Sequence, residues 1–395
     1  MLKTRLLVRF ALNPSLQQLV SDINRGNAKA VLERVNETKA AHWVSTPGDL
    51  SGVDYCRALC FLNGAGNLFE ARQAVLEELR HTPDNSSARY LLYDLNERLR
   101  PLLLPPPDAV QAEGGALFHS LCDSLLDYTM LTWPRLLHLY QSVMALYATH
   151  PHATSGPLLE CGTAGGGSAV LMAVALAHAE DLYEKRTGQP VEKKKQVFAL
   201  DTYKGMPAPT PADAVDVRQN NGEVQRVPAS ASAWSTGTCA ASSGHVRRLA
   251  RAFGVEDRVV TVEGLFESTL PALLSSEPFA DGVAMVHVDA DWYQSVRFVL
   301  DELLTFLRAR QPNGHAPIVV QVDDYNYWIG CKQAVEEALA HHKSKGGGMP
   351  SVVGIDTNAV YLKCKNGSNR RENKYVLKRS YIGLGLCRRL YWWFS

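Results

Sequence analysis

Hydrophobic positions change their period part-way along the chain. From Pro157 onward, short apolar runs near 157–161, 196–201, 258–262, 284–289 and 317–322 are each followed by a stretch with helical spacing, and two more strand-like pieces lie near 351–355 and 359–364. Such alternation predicts an α/β domain with a largely parallel, doubly wound sheet, in which ligands gather at the carboxyl ends of the strands. Upstream the period is helical. Arg25 to Val35 and Ala65 to Leu79 look alike, each reading as helix, turn, helix around a Gly-Asn pair. The second continues through His81-Thr82-Pro83-Asp84-Asn85 into an amphipathic stretch from Ala88 to Leu99, so the region is similar to a tetratricopeptide-type repeat with small Ala71 and a closing proline. Helix pairs of this type offer a groove to a protein partner or dock on the neighbouring domain.

A proline-rich break from Leu102 to Pro107 marks a boundary. Beyond it, Leu117 to His150 reads as a long helical region interrupted at Trp133-Pro134. The expected organisation is an all-α region over 1–105, an independent α/β domain over 106–364, and a basic tail over 365–395 that ends in Tyr391-Trp392-Trp393-Phe394. A tail of that composition suits a surface or membrane contact as well as a loosely ordered end.

Composition narrows the classes. With 395 residues, 41 Lys plus Arg against 40 Asp plus Glu, nothing global points to nucleic acid or an anionic membrane surface. No apolar run approaches the length of a membrane span. Eight cysteines lack metal-ligand spacing and read as reduced, buried thiols, which fits a cytoplasmic protein; Lys3, Arg5 and Arg9 give only a mild transit-peptide flavour. Cys56 and Cys60 share a helix face for packing.

Acidic residues end four of the apolar runs. Leu159-Glu160 leads into Cys161-Gly162-Thr163-Ala164-Gly165-Gly166-Gly167-Ser168, a glycine turn that opens a helix whose free N–H groups can bind an anionic group. Glu160 opposes a pyrophosphate there but suits the cationic end of S-adenosylmethionine; a turn hydrogen bond is the alternative use. Asp201 ends the next run, where a carboxylate can accept from both hydroxyls of a ribose, nicotinamide dinucleotides included. Asp289-Ala290-Asp291 and Asp323-Asp324 end two further runs. Clustered carboxylates repel, and a hard divalent cation such as Mg²⁺ or Mn²⁺ relieves the repulsion while leaving positions for a substrate's oxygens. His287 is expected on the opposite face from Val286 and Val288, as a hydrogen-bonded core histidine.

Ordered motifs then carry a resemblance: Tyr128-Thr129-Met130 with Arg135-Leu136, the loop Glu160 to Ser168, Leu200-Asp201-Thr202-Tyr203-Lys204-Gly205-Met206-Pro207, Glu263 to Pro271, Val288-Asp289-Ala290-Asp291-Trp292-Tyr293-Gln294-Ser295, and Val322-Asp323-Asp324-Tyr325. With them, the chain from about Leu121 to Cys364 resembles the macrocin O-methyltransferase family, metal-dependent enzymes that methylate sugar hydroxyls of natural products. The resemblance implies a class I methyltransferase Rossmann-like sheet. It also implies that Glu160, Gly162 and Ser168 hold the amino-acid end of S-adenosylmethionine, Asp201 its ribose, and Asp289, Asp323 and Asp324 the metal. The Asp-Ala-Asp sequence is similar to that of catechol-type methyltransferases too, but where those carry a lysine this chain has Trp292, so deprotonation falls to the metal with Asp289 or Asp291. The helical region, the tail, a lysine-rich insertion from Glu184 to Lys195, and a Pro, Ala and Ser-rich stretch from Ala208 to Ala233, read as a long loop over the site, depart from the pattern.

The resulting expectation is an S-adenosylmethionine-dependent O-methyltransferase acting on a small acceptor with adjacent oxygens, such as a glycoside. Two rivals stay open on the sequence: a glycosyltransferase using Asp289-Ala290-Asp291 as its Asp-x-Asp, and an inert scaffold whose helices carry the function.

Overall fold

The structure is a computed structural model that describes residues 14–44, 50–64, 67–110, 114–148, 156–218, 222–231, 234–310, 319–346 and 350–363. The basic N-terminus and the aromatic-ended tail lie outside the described residues. No helix among the described residues is long and apolar enough to cross a membrane.

Nine strands form among the described residues: β1 (Leu158–Cys161), β2 (Val197–Asp201), β3 (Ala214–Arg218), β4 (Val224–Pro228), β5 (Val259–Glu263), β6 (Met285–Val288), β7 (Val319–Val322), β8 (Ser351–Gly354) and β9 (Val360–Lys363). Seven of them make one sheet in the order β5-β2-β1-β6-β7-β9-β8. The first five are parallel, and β9 and β8 return antiparallel. Every strand of this sheet coincides with an apolar run. The order reverses between β1 and β6, which makes their carboxyl ends the switch-point crevice of a doubly wound sheet.

Side chains alternate across the strands and so feed two cores. Leu158, Val197 and Met285 pack with α6 (Gly115–Ser124), α7 (Trp133–Ala148), α8 (Gly167–Thr187) and α9 (Ser243–Ala252). Leu159, Phe198, Val286 and Val320 pack on the other face with α10 (Phe266–Leu274), α11 (Tyr293–Arg310) and α12 (Ile329–Ser344). Trp133-Pro134 opens α7 rather than breaking a longer helix, because proline's missing N–H costs nothing in a first turn.

The expectation of a long loop over the site from Ala208 to Ala233 is corrected by β3 and β4, which form an antiparallel hairpin within it. Alternation at Val215 and Val217, cross-strand pairing of Asp216 with Arg226 at 3.1 Å, and Gly222 at φ +87° account for it. Proline and alanine around two five-residue strands obscured that period.

Upstream lie α1 (Pro14–Asn24), α2 (Ala28–Val44), α3 (Val53–Gly64), α4 (Leu68–His81) and α5 (Ser86–Leu103), with a core of their own. The Asn67 side chain caps α4 and Asn85 caps α5, each accepting from a backbone N–H of its helix's first turn. These helices are tied to the catalytic layers. Arg72 donates to the backbone oxygens of Leu126 and Thr129, Arg80 donates to Ala240 O at 3.0 Å, and Glu77 accepts from Cys239 N at 2.7 Å. Helix α5 runs through Pro101 to Leu103, and these contacts cross the proline-rich stretch in space.

Candidate active site

At the reversal point β1 and β6 approach so closely that only glycine fits after Cys161. A Cβ on Gly162, whose φ is +94°, would lie 1.9 Å from Asp289 O. Gly166 at φ +88° then turns the chain into α8, which places the buried Ser168 in the first helical turn. Asp201 ties this loop down: its Oδ2 accepts from Thr163 N at 2.9 Å and Ala164 N at 3.0 Å, and its Oδ1 accepts from Tyr203 N at 2.7 Å. Thr202 Oγ1 also lies 3.3 Å from Oδ1, but its hydroxyl donates to Gly205 O at 2.6 Å, so most of the Asp201 lone pairs are engaged by backbone and Oδ1 keeps room for one further donor rather than two.

Glu160 is not at the turn but inside β1, fully buried, in register with His287 of β6 and, one strand further, Gln321 of β7. The three form a polar row on the α7 face. His287 Nδ1 lies 3.0 Å from Glu160 Oε1, and His138 of α7 meets Gln321 at 2.7 Å. Gln321 Nε2 in turn donates to Asp323 Oδ1 at 3.0 Å. His287 is thus a hydrogen-bonded core residue, as expected, but it also stands between two of the singled-out carboxylates, with Nε2 3.4 Å from Asp323 Oδ2. Its pKa is well above the usual histidine value: burial opposes the charge, yet Asp323 and Glu160 outweigh it. Glu160 Oε2 has no hydrogen-bond partner in the structure although it is buried.

The four aspartates at the ends of β6 and β7 come together with a division of partners. Atoms of Asp289, Asp323 and His287 lie within 4.8 Å of one another, an arrangement compatible with a metal ion. Asp324 leans instead to Arg135 of α7, 3.3 Å away, and the same guanidinium binds Asp356 at 2.8 Å and lies 3.7 Å from Asp323. Asp291 accepts from Trp328 Nε1 at 3.1 Å. Burial first, then the neighbouring carboxylates, push Asp289 and Asp291 well above the carboxylate range. Asp323 is held low although burial acts against it, because Arg135 and His287 face it. Of these atoms the Asp289 and Asp323 oxygens suit a hard divalent cation, and the buried Asp323 Oδ2 makes no hydrogen bond although His287 and Arg135 face it. With Nδ1 engaged by Glu160, His287 orients Asp323 in this arrangement.

The backbone marks the same place. Asp291 and Asp324 adopt φ +53° and +59°, and Ala164 and Cys239 are also left-handed, all four lining one cavity. Left-handed non-glycine residues cost energy and cluster where function requires them. The cavity measures about 1420 Å³ and is walled by the strand ends, the β3–β4 hairpin and the helical region. Trp292, at the lysine position of the catechol-type enzymes, is buried, donates to Pro207 O at 2.9 Å and stands edge-on to Trp328. Asp213 accepts from Tyr293 N at 2.7 Å and Thr210 N at 2.7 Å, pinning the stretch after Pro207 to the start of α11.

Sequence reasoning missed Arg135 as the counter-charge of Asp324, Asp213 as a cap, and Glu70 in the cavity wall. Arg135 stood within a quoted motif, and Thr210 to Asp213 has the form of a side-chain-capped turn. Glu70 gave no signal.

A doubly wound sheet with acidic residues at its switch point defines the α/β class that binds ligands at the carboxyl ends of its strands. The chain belongs to the macrocin-O-methyltransferase (TylF) family, matched over residues 122–364, and is an S-adenosylmethionine-dependent O-methyltransferase. This sets aside the glycosyltransferase alternative. Among solved structures it is similar to the O-methyltransferase NovP, at 24% identity over 60% of this chain and 83% of that one, with a TM-score of 0.42. It is also similar to an O-methyltransferase from Bacillus cereus in complex with SAH, at 12% identity, 69% and 97% coverage and TM-score 0.36. A third is TomG from Streptomyces achromogenes, involved in tomaymycin synthesis and solved with SAM, at 14% identity, 69% and 96% coverage and TM-score 0.35. No curated protein matches the chain.

Proposed function

We propose that the chain transfers the methyl group of S-adenosylmethionine to a hydroxyl of a small acceptor bearing adjacent oxygens, a sugar or glycoside being the leading class, with Mg²⁺ or Mn²⁺ held by Asp289, Asp323 and Asp324. The carrying observation is the gathering of carboxylates at the ends of β6 and β7, where burial first and the neighbouring carboxylates second lift Asp289 and Asp291 well above their ordinary pKa range. When bound, the cation supplies charge that lowers the acceptor hydroxyl's pKa and orients two oxygens.

The chain's own residues supply the rest. Glu160 Oε2, buried and unpartnered, suits the ammonium of the methyl donor, and the start of α8 with Ser168 suits its carboxylate. Gly162 lets the donor lie against the backbone at the crossover of β1 and β6. Asp201 shapes the loop and offers Oδ1 to one ribose hydroxyl. In the reaction a C–O bond forms as the C–S bond of the sulfonium breaks, and the hydroxyl proton passes to Asp289 or Asp291. Trp292 and Trp328 exclude water from one side of these carboxylates. Six described cysteines are free and buried, which fits a reducing, cytoplasmic setting.

The test is transfer of label from S-adenosylmethionine to a panel of sugars, glycosides and phenols, with Mg²⁺ or with excess EDTA. Labelled product in Mg²⁺ and none in EDTA is expected; equal product in both removes the metal from the reading.

A further inference from the structure

The cavity wall away from the strand ends has no role in the reading above. The helical region builds it, with Phe61 at the end of α3, Leu68, Phe69 and Glu70 at the start of α4, and Leu99 and Leu102 at the end of α5. This wall is apolar apart from a few side chains, and Glu70 is its one acidic residue among the described residues. Trp234 joins it to the catalytic layers, packing against the helical core and against the α10–α12 core alike. At about 1420 Å³ the cavity exceeds the roughly 300–1,000 Å³ of a pocket for one drug-sized ligand, so it has room for an acceptor of more than one ring beside the methyl donor.

Glu70 is placed as a ligand partner. Its carboxyl receives a long hydrogen bond, 3.4 Å, from Tyr327 Oη, while its backbone N–H is taken by the Asn67 side chain. Burial pushes its pKa up to about 7, with Tyr327 and Arg57 only partly offsetting. A carboxyl in apolar surroundings with one weak donor is costly unless another donor completes it. Two aromatic rings separate it from the aspartates. Tyr327 stands edge-on to Trp328 at 4.9 Å between centroids, and Trp328 Nε1 donates to Asp291. A ligand that reaches from the aspartates to Glu70 alongside this pair therefore has a body of about two rings with a hydroxyl at each end.

Resting on the methyl-transfer reading, we propose that the helical region forms the distal half of the acceptor site: it takes an extended acceptor of more than one ring, a glycoside with its aglycone included, whose vicinal oxygens face Asp289 and Asp324 and whose far hydroxyl donates to Glu70.

Calorimetry on the full chain, with S-adenosylhomocysteine and Mg²⁺ present, separates this from the reading it rests on. The probes are catechol, which carries only the vicinal oxygens, and quercetin, which adds a fused body and distal hydroxyls. Quercetin is expected to bind at least about tenfold more tightly than catechol. Glu70→Leu should weaken quercetin about tenfold, the scale of a lost hydrogen bond to a carboxylate, while leaving catechol and S-adenosylhomocysteine unchanged; Glu70→Gln, which keeps a carbonyl acceptor, should recover most of the loss. Phe69→Ala should likewise weaken quercetin alone. Quercetin no tighter than catechol, binding of neither, or indifference of quercetin to Glu70→Leu overturns the distal site. Failure of S-adenosylhomocysteine itself to bind overturns the methyl-transfer reading instead.

Discussion

Two clusters of charge, one buried among the helices and one at the cavity, have different balances. In the helical region Asp54 and Glu77 are met by Lys39, at 2.8 and 2.5 Å, and by Arg57, with His81 2.9 Å from Asp54. Burial raises the Asp54 pKa, yet Lys39 and Arg57 more than offset it and hold it far below the carboxylate range. At the ends of β6 and β7, by contrast, Arg135 and His287 are shared among Glu160, Asp323, Asp324 and Asp356, and Asp289 and Asp291 are left high. A buried cluster that satisfies itself holds structure together; one that lacks positive charge is waiting for a ligand. The same contrast separates Glu77, whose oxygens are engaged by Lys39, Gln73 and Cys239 N, from Glu160, which keeps one buried oxygen unpartnered.

The contrast is broken most directly by removing one carboxylate from each cluster. Glu77→Ala leaves Lys39 and Arg57 to share Asp54 alone and should cost about 3–5 kcal/mol of unfolding free energy. Asp289→Asn removes an uncompensated charge and should be neutral or stabilising in the absence of metal. Urea unfolding of both variants decides: equal destabilisation would show that the two clusters do the same work.

Activity should respond in the reverse sense. Asp323→Asn is expected to lower metal-dependent methyl transfer by about a hundredfold or more, since the ion's charge is worth several kcal/mol to the reacting oxygen. S-adenosylhomocysteine affinity, which depends on β1 and β2, should be retained. Full activity of this variant, or turnover indifferent to EDTA, returns Asp323 to a structural role beside His287 and Gln321.

A smaller effect is expected at Asp201. Asp201→Ala should weaken S-adenosylhomocysteine by about 1–3 kcal/mol in calorimetry, the scale of lost charge-assisted hydrogen bonds. Most of that loss comes from releasing Thr163 and Ala164 N–H groups and so loosening the loop. Unchanged affinity would take Asp201 out of the site.

What the sequence made legible follows from how each feature is encoded. All seven strands of the main sheet were readable because an apolar run is a local signal, and the acids of β2, β6 and β7 fell at the crevice because parallel strands end on one side. Local signals also exposed the Gly-Asn turn before α2 and the Asn67 cap of α4. The partners of those acids were not readable. Arg135 meets Asp324 across 189 positions and His138 meets Gln321 across 183, contacts that only the folded sheet creates. Nor could composition reveal that α4 and α5 wall the cavity, since their apolar residues serve a helical core and a ligand surface equally well. The β3–β4 hairpin was hidden for a different reason: its strands are short and half exposed, so alternation runs for only five residues in each.

The last and smallest effect is a pH dependence that sets the two halves of the molecule against each other. Asp54, held low by Lys39 and Arg57, contributes stability above its unfolded pKa and loses it as pH falls through its folded value. Glu70 has the opposite sign. Its carboxyl titrates near 4.5 in the unfolded chain and at about 7 in the fold. Below 4.5 both states are protonated and Glu70 adds no pH dependence. Between 4.5 and 7 the unfolded chain releases its proton first, so the fold loses stability as pH rises, and above that the deficit is constant. Solvent reaches part of the side chain, which reduces the deficit to about 1–2 kcal/mol. Glu70→Gln removes the titration. Its unfolding free energy relative to the natural protein should therefore rise by that amount between pH 5 and pH 8, measured in urea at fixed ionic strength, while Asp54→Asn should lose most of its disadvantage toward acid. If the Glu70→Gln and natural curves run parallel from pH 5 to pH 8, Glu70 is an ordinary solvated carboxylate and the cavity wall beside Tyr327 is open to water.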